Sequence, residues 1–208
     1  MEIIPAINCA DQKSFQERIE QAKEFVSPNG WLHIDVSDKE TTEVESFFDS
    51  SFVRSCLDYF QLEIHLMVVK ERLFNMEWFF GSRVRLLVDW KNVSEEFINN
   101  AEKNNTQIGV VVNFNEDISA IALPKGISYV EVLAVSPGPS GGIFQEQALE
   151  MIKFLKERNP NVILSVDGGV NEEVARSIKQ AGASVLISGS YIWGSSDPAH
   201  AYERLKRI

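Results

Sequence analysis

The sequence has few cysteines and no long apolar run. Its two cysteines, Cys9 and Cys56, lie too far apart in a chain without a secretory leader to indicate a disulfide framework or a cysteine-rich zinc site. No apolar stretch approaches the roughly 20 residues that a membrane-spanning helix needs. The sequence therefore predicts a soluble protein of the reducing cytoplasm, with no membrane partner.

Basic residues are also in short supply. The chain carries 20 Lys+Arg against 30 Asp+Glu, a formal net charge of -10. Non-specific nucleic-acid binding and attachment to an anionic membrane both need a basic surface, so neither partner is expected. What the chain does have is length and apolar residues: 208 residues that are 44% hydrophobic can bury one sizeable core.

Short apolar runs recur along the whole chain and alternate with stretches of helical periodicity. Such strand–helix units predict parallel strands, because each crossover helix returns the chain to the same edge. An open doubly wound sheet would often show a glycine-rich turn after its first strand, but Asn8-Cys9-Ala10-Asp11 stands there. We therefore predict one α/β domain over residues 1–208, a (β/α)8 TIM barrel. The expected strands are Ile3–Ile7, Trp31–Val36, Leu62–Val68, Val84–Trp90, Ile108–Asn113, Tyr129–Val135, Val162–Val166 and Ser184–Ile187.

Four potential metal ligands fall at or near predicted strand ends: His33 and Asp35 in the second strand, His65 in the third, and Asp167 after the seventh. Strand side chains alternate between faces, so His33 and Asp35 point the same way. A single histidine on a strand is more often a hydrogen-bonded core residue. Two histidines and two aspartates together suit a divalent ion such as Zn²⁺, Fe²⁺ or Mn²⁺ with a position left open for substrate oxygens.

Glycine-rich segments follow the last three predicted strands. Each could be a tight turn alone, but loops after the last strands of a barrel are a recurrent phosphate site, where backbone N–H groups supply the donors. Glycine allows that backbone to approach closely. The segments are Ser136-Pro137-Gly138-Pro139-Ser140-Gly141-Gly142, Gly168-Gly169 and Gly189-Ser190.

A metal beside an anchored sugar phosphate would stabilise the enediolate that forms when an α-proton leaves. If Asp35 and Asp167 flank that intermediate on opposite faces, one removes a proton and the other returns one with inverted stereochemistry. The pattern therefore indicates epimerisation.

In order and over nearly the whole chain, the motifs resemble the ribulose-phosphate 3-epimerase family. The resemblance implies that His33, Asp35, His65 and Asp167 hold a divalent metal, that both aspartates act as the acid/base pair, and that Met67 contributes to an apolar wall around the intermediate. It implies interconversion of D-ribulose 5-phosphate and D-xylulose 5-phosphate, or of a six-carbon ketose phosphate such as D-allulose 6-phosphate. The matching motifs are Pro5-Ala6-Ile7, His33-Ile34-Asp35-Val36, Ile64-His65-Leu66-Met67, Ser136-Pro137-Gly138 with Gly141-Gly142, Val166-Asp167-Gly168-Gly169-Val170 and Gly189-Ser190.

The sequence departs from that family in the residues that would face the substrate. Ala6 stands where the family has a serine, Ser37 where it has a methionine, and Lys39 where it has a glycine. The methionine expected on the sixth strand is Leu133 or Ala134. The chemistry is kept while the surrounding side chains change, which favours an epimerase of altered or relaxed specificity.

Two alternatives remain open. Aldol cleavage or decarboxylation on the same barrel uses an Asp-x-Lys-x-x-Asp signature, but the segment that runs from His33 to Asp38 contains no lysine. A non-catalytic sugar-phosphate-binding relative would retain the pocket and bind without turnover. The sequence fixes neither the metal nor the oligomeric state, and it leaves a homo-oligomer open.

Overall fold

Eight parallel strands close into a barrel in sequence order, with the last strand beside the first. The structure is a computed structural model and describes residues 1–38, 40, 46, 49–69, 73, 79–136 and 141–208. The predicted TIM-barrel fold is confirmed. The strands are β1 (Glu2–Ile7), β2 (Trp31–Ser37), β3 (Gln61–Met67), β4 (Val84–Asp89), β5 (Gln107–Asn113), β6 (Tyr129–Leu133), β7 (Ile163–Asp167) and β8 (Val185–Ser188).

The predicted strand boundaries agree with the structure to within two residues, and β6 differs most. It ends at Leu133 rather than at Val135. The carbonyl of Ala134 accepts the N–H of Gln145 at 2.9 Å, so Gln145 lies beside the end of β6. Gly141 and Gly142 of the first glycine-rich segment line a pocket at the carboxyl end of the barrel.

Helices cover the outside of the barrel through short apolar faces. Phe15 and Ile19 are buried on the first helix, whose amino end is capped by the Asp11 carboxylate accepting the N–H of Ser14. Asn171 caps a later helix in the same way. Within the described residues the α-helices are α1 (Gln12–Ala22), α2 (Ser50–Ser55), α3 (Glu95–Lys103), α4 (Gln147–Arg158), α5 (Glu172–Ala181), α6 (Ser190–Trp193) and α7 (Pro198–Lys206).

The connection between β5 and β6 departs from the predicted alternation of strands and helices. Residues 114–128 are all described, and their helical structure is a single 3-10 turn at Ile118–Ala120. Pro124 and Gly126 explain this difference. Proline breaks a helix, and Gly126 has φ +89°, a left-handed backbone that stops one.

The barrel interior is polar in its middle. Apolar residues fill part of it, among them Ile4, Leu87 and Ile187. Between them lie buried charged side chains that follow the inward face of their strands. They are His33, Glu63, His65, Arg85 and Glu131. No α-helix in the described part of the chain combines the length and apolar character of a membrane-spanning segment.

Candidate active site

Three strands bring the four predicted metal ligands together. His33 and Asp35 lie on β2, His65 on β3, and Asp167 is the last residue of β7. The β2–β3 register places Asp35 opposite His65. Each of the four residues offers a ligand atom, and these atoms all lie within 4.8 Å of one another. Closure of the barrel therefore gathers residues that are more than 130 positions apart in the chain into one cluster.

The two histidines contact Asp35 at different depths. His33 Nε2 lies 3.1 Å from Asp35 Oδ1, and His65 Nδ1 lies 3.6 Å from the same oxygen. His33 is fully buried and is the third of seven residues in β2, so it lies beneath Asp35 rather than at the strand end. Asp35, His65 and Asp167 line a pocket at this end of the barrel, whereas His33 lies beneath it and does not line it.

The two aspartates have opposite protonation preferences. Burial would raise the pKa of Asp35, but its contacts with His33 and His65 outweigh that effect and hold the pKa well below its ordinary range. Burial, together with the negative charge of Asp35, raises the pKa of Asp167 to about 6. The site thus pairs an ionised carboxylate with one that holds its proton more tightly.

A second layer of charged residues supports His33 from below. His33 Nδ1 donates to Glu63 Oε1 at 2.9 Å, and Arg85 Nη1 donates to the other oxygen of Glu63 at 2.6 Å. Burial lowers the pKa of His33, yet the hydrogen bonds to Asp35 and Glu63 raise it well above its ordinary value. This chain of partners fixes the ring and leaves Nε2 facing the cluster, as second-layer carboxylates do at metal sites.

A fourth carboxyl group, that of the buried Glu131 on β6, lies near both histidines. Its Oε1 is 3.3 Å from His65 Nδ1, and burial raises its pKa to about 8. Burial lowers the pKa of His65, whereas the charges of Glu131 and Asp35 raise it, with a net rise. Sequence reasoning missed Glu63, Arg85 and Glu131. The available signal was a charged residue in an otherwise apolar strand, spaced by two from a proposed ligand on β3.

The cluster opens into a pocket at the carboxyl end of the barrel. Most predicted substrate-binding residues line it: Met67, Gly141, Gly142, Gly168, Gly169, Gly189 and Ser190. Ala6 and Leu133 add apolar surface beside them. Two other positions at which the sequence departs from the family do not line the pocket. The backbone N–H of Ser37 donates to Ser46 Oγ, and Ala134 is buried. The predicted phosphate residue Gly138 and the substituted Lys39 lie outside the described residues.

The two glycines after β7 adopt backbone conformations that residues with a Cβ rarely adopt. Gly168 and Gly169 have φ of +100° and +66°, in the left-handed region that disfavours residues with a Cβ. A Cβ on Gly169 would lie 2.3 Å from the backbone nitrogen of Phe144. The loops after β6 and β7 therefore pack backbone to backbone, and the groups they offer a ligand are largely main-chain ones.

Comparison with known proteins gives one consistent result. A sequence model of the ribulose-phosphate 3 epimerase family matches residues 2–193. The ribulose-phosphate 3-epimerase of Helicobacter pylori strain J99 is 27% identical over 224 residues, covering 100% of this chain and 98% of that protein. The corresponding Aquifex aeolicus protein is 36% identical over 105 residues, about half of each chain (48% and 47%). A chloroplastic relative from Arabidopsis thaliana is 28% identical and covers 85% of this chain and 66% of its own.

Solved structures agree on the fold. A 3-hexulose-6-phosphate synthase from Salmonella typhimurium aligns with a TM-score of 0.66 at 15% identity, over 100% of this chain and 97% of that one. A second synthase structure of the same name gives 0.65 at 19% identity, over 100% and 99%. At such low identity these matches support the barrel alone, whereas the sequence matches confirm the resemblance and enzyme class predicted from the motifs.

Proposed function

The chain belongs to the ribulose-phosphate 3 epimerase family, and from that premise we propose that it interconverts D-ribulose 5-phosphate and D-xylulose 5-phosphate. The observation that carries this proposal is the pairing of Asp35 and Asp167 beside two histidines at the bottom of one pocket. Epimerisation at C3 needs one group that takes a proton and one that gives a proton back. We place this reaction in the cytoplasm.

The opposite protonation preferences of the two aspartates suit those roles. Asp35 stays ionised and can accept the C3 proton, while Asp167 keeps its proton up to about pH 6 and can donate one. With the substrate carbon between them, removal on one face and return on the other inverts the stereocentre. The reverse reaction exchanges the two roles, and the carboxyls titrate as a pair.

The donor set fits a divalent cation. Two imidazole nitrogens and two carboxylate oxygens within 4.8 Å of one another suit Zn²⁺, Fe²⁺ or Mn²⁺, and His33, Asp35, His65 and Asp167 would hold the ion. When bound, such an ion supplies the positive charge that stabilises negative charge on the substrate oxygens. Glu63 contributes by holding His33 in place.

The glycine loops at the rim would hold the phosphate. Gly141, Gly142, Gly168, Gly169 and Gly189 bring backbone to the pocket wall without side chains in the way. Backbone N–H groups bind phosphate without added basic residues, which fits a chain of net charge -10. Ser190 adds a hydroxyl at the same rim.

A six-carbon ketose phosphate is the second candidate substrate. Ala6 lines the pocket where the family has a serine, and Leu133, one of the two candidates for the family's sixth-strand methionine position, lines it as well, so the wall around the sugar is changed. Smaller or more apolar side chains at those positions leave the reaction intact and alter which sugar fits.

The deciding experiment is NMR with D-ribulose 5-phosphate in deuterium oxide. It compares the metal-free protein with the protein loaded with zinc or manganese. We expect the metal-loaded protein to exchange the C3 proton for deuterium and to form D-xylulose 5-phosphate. Exchange only with D-allulose 6-phosphate would select the six-carbon substrate. Binding of both sugars without any exchange would favour a non-catalytic sugar-phosphate sensor over an enzyme.

Both aspartates should be indispensable for exchange of the C3 proton. Asp35→Asn and Asp167→Asn each remove one proton carrier, and we expect each to lower kcat by at least about 10²–10⁴-fold. His200→Gln is the matched control, because His200 is exposed on α7 and should leave the rate unchanged. Turnover at the wild-type rate in either aspartate variant would eliminate the two-carboxyl mechanism.

A further inference from the structure

Glu131 is a buried carboxyl group without a hydrogen bond. It lies in the middle of β6, in the sequence Tyr129-Val130-Glu131-Val132-Leu133, and its side chain is fully buried. Neither Oε1 nor Oε2 has a hydrogen-bond partner among the described residues. A buried carboxylate in that state costs several kcal/mol by order of magnitude, so its presence needs a reason.

Its position relative to the candidate metal centre supplies that reason. Glu131 Oε1 lies 3.3 Å from His65 Nδ1, and Oε2 lies 3.8 Å from His33 Nδ1. The β6–β7 register places Leu133 opposite Asp167 and Glu131 opposite Ser165, two positions further into the barrel. The carboxyl group is thus directly beneath the cluster and touches both of its imidazoles.

Glu131 differs from Glu63 in its partners. Glu63 is bonded to His33 at 2.9 Å and to Arg85 at 2.6 Å, so it has both a donor and a cation. Glu131 approaches only the two histidines at ion-pair distance within the described part of the chain. An apolar residue of similar volume would cost the fold less at this position, because it would bury no charge.

We propose that Glu131 is a positioning residue of the metal centre, which holds His65 from below and adds a third carboxylate charge that strengthens binding of a divalent cation. This proposal rests on the proposed function, since it takes the His33, Asp35, His65 and Asp167 cluster as the cation site. Glu131 acts through the imidazoles and by its charge. It complements Glu63, which holds the other histidine.

The test measures zinc affinity by competition with a chromophoric chelator at pH 8.5. Glu131→Gln keeps the shape of the side chain and removes its charge, and Glu131→Leu removes both charge and polarity. We expect each variant to bind zinc about 10- to 100-fold more weakly than wild type, the usual loss when an outer-layer partner is removed. Glu157→Gln is the matched control, because it makes the same chemical change at an exposed residue of α4, and it should stay within about twofold.

A second readout follows the imidazoles themselves. The chain has three histidines, so their ring nitrogens can be assigned in long-range ¹H–¹⁵N spectra of the zinc-loaded protein. We expect the His65 ring signals to shift in Glu131→Gln while those of His200 stay in place. A group that served only to fill space would change the melting temperature and leave these signals and the zinc affinity alone.

Several outcomes would overturn the proposal. Zinc affinity of Glu131→Gln within twofold of wild type is one, and failure of both variants to fold is another, since the fold should not need this group. Binding of two zinc ions by wild type and one by Glu131→Gln would also overturn it, because His33, Glu63 and Glu131 would then hold an ion of their own. A wild-type protein that binds zinc without catalysing exchange would refute the proposed function alone.

Discussion

At the scale of single residues, the interior of the barrel is organised by charge pairing across neighbouring strands. The Arg85 guanidinium lies 4.2 Å from the ring centre of Trp31 and 3.8 Å from that of Tyr129, and it donates to Glu63. The aromatic rings and the carboxylate together replace the water that a buried cation loses. Glu63 then holds His33, so the support of the cluster begins at Arg85.

Removal of Arg85 should therefore destabilise the whole barrel. Arg85→Met leaves the Glu63 carboxylate buried without its cation, and we expect a loss of about 3–5 kcal/mol in the free energy of unfolding of the metal-free protein. Urea denaturation followed by circular dichroism measures it. Lys13→Ala, which breaks the exposed Lys13–Glu17 pair at 3.8 Å, is the control and should change stability by less than about 1 kcal/mol.

The double variant Arg85→Met/Glu63→Leu distinguishes two causes of the lost stability: a buried carboxylate without its cation, and the loss of packing around the guanidinium. If the stranded charge is the cause, the double variant should recover most of the lost stability, because no buried carboxylate remains at that position. A double variant that is less stable than Arg85→Met would show that aromatic packing around the guanidinium dominates instead.

The sequence predicted some of these residues and missed others for one reason. His33 and Asp35 are two positions apart on one strand, and alternation places them on the same face. Glu63 carried one signal, its spacing of two from His65, but the roles of Arg85 and Glu131 follow only from contacts between strands. The register pairs His33 with Glu63 and Glu63 with Arg85. Neither spacing nor composition encodes that register.

At the scale of elements, the strands could be predicted and one connection could not. Apolar β-branched runs determine where a strand lies, and the eight expected strands are all present. The β5–β6 connection was expected to contain a helix, but Pro124 and the left-handed Gly126 limit it to one 3-10 turn. Those two residues were visible in the sequence, so the signal existed in the turn chemistry rather than in the apolar periodicity.

The contact between the loops after β6 and β7 leads to a prediction about the proposed phosphate pocket. Gly169→Ala places a Cβ 2.3 Å from the backbone nitrogen of Phe144, so the β6 loop beside Gly141 and Gly142 must move. We expect kcat/KM to fall about 10- to 100-fold, because small displacements of a binding loop are costly to catalysis. Zinc affinity should stay at the wild-type value, since the cluster on β2, β3 and β7 is not displaced.

Gly126→Ala is the matched control for backbone strain. Gly126 has φ +89°, yet a Cβ there would meet nothing within 4 Å, and the residue lies away from the pocket. It should lose about 1–2 kcal/mol of stability from the left-handed backbone alone and keep its kcat/KM. Equal kinetics in Gly169→Ala and Gly126→Ala would contradict a role for the loop contact in substrate binding.

At the scale of the whole molecule, a cation in the proposed site would be coupled to the stability of the fold. The four candidate ligands come from strands at opposite ends of the sequence, so an ion held between them ties the first third of the chain to the last. The unfolded chain offers no such site. Anything that binds only the folded state stabilises it by mass action, by about 2.7 kcal/mol at a ligand concentration 100 times Kd.

Removal of zinc should therefore lower the melting temperature, and the size of the change should depend on pH. At 100 times Kd we expect a shift of about 5–10 °C for a chain of this length. His65→Gln should abolish most of the shift, and His200→Gln should leave it intact, because His200 is exposed and outside the cluster. Differential scanning calorimetry with and without a chelator measures both.

The direction of the pH dependence follows from the pKa shifts. In the metal-free protein the pKa values of His33 and His65 are raised, so the stability that their protons contribute is present below about pH 6.5 and lost as the pH rises. The Asp167 carboxyl, with its pKa of about 6, likewise holds a proton in the folded state that is lost on the way to neutrality. Zinc must displace the protons of both imidazoles, so at a fixed zinc concentration the shift should be largest near pH 8 and shrink towards pH 6. A shift that is constant over that range would mean that the titrating residues of this cluster do not hold the ion.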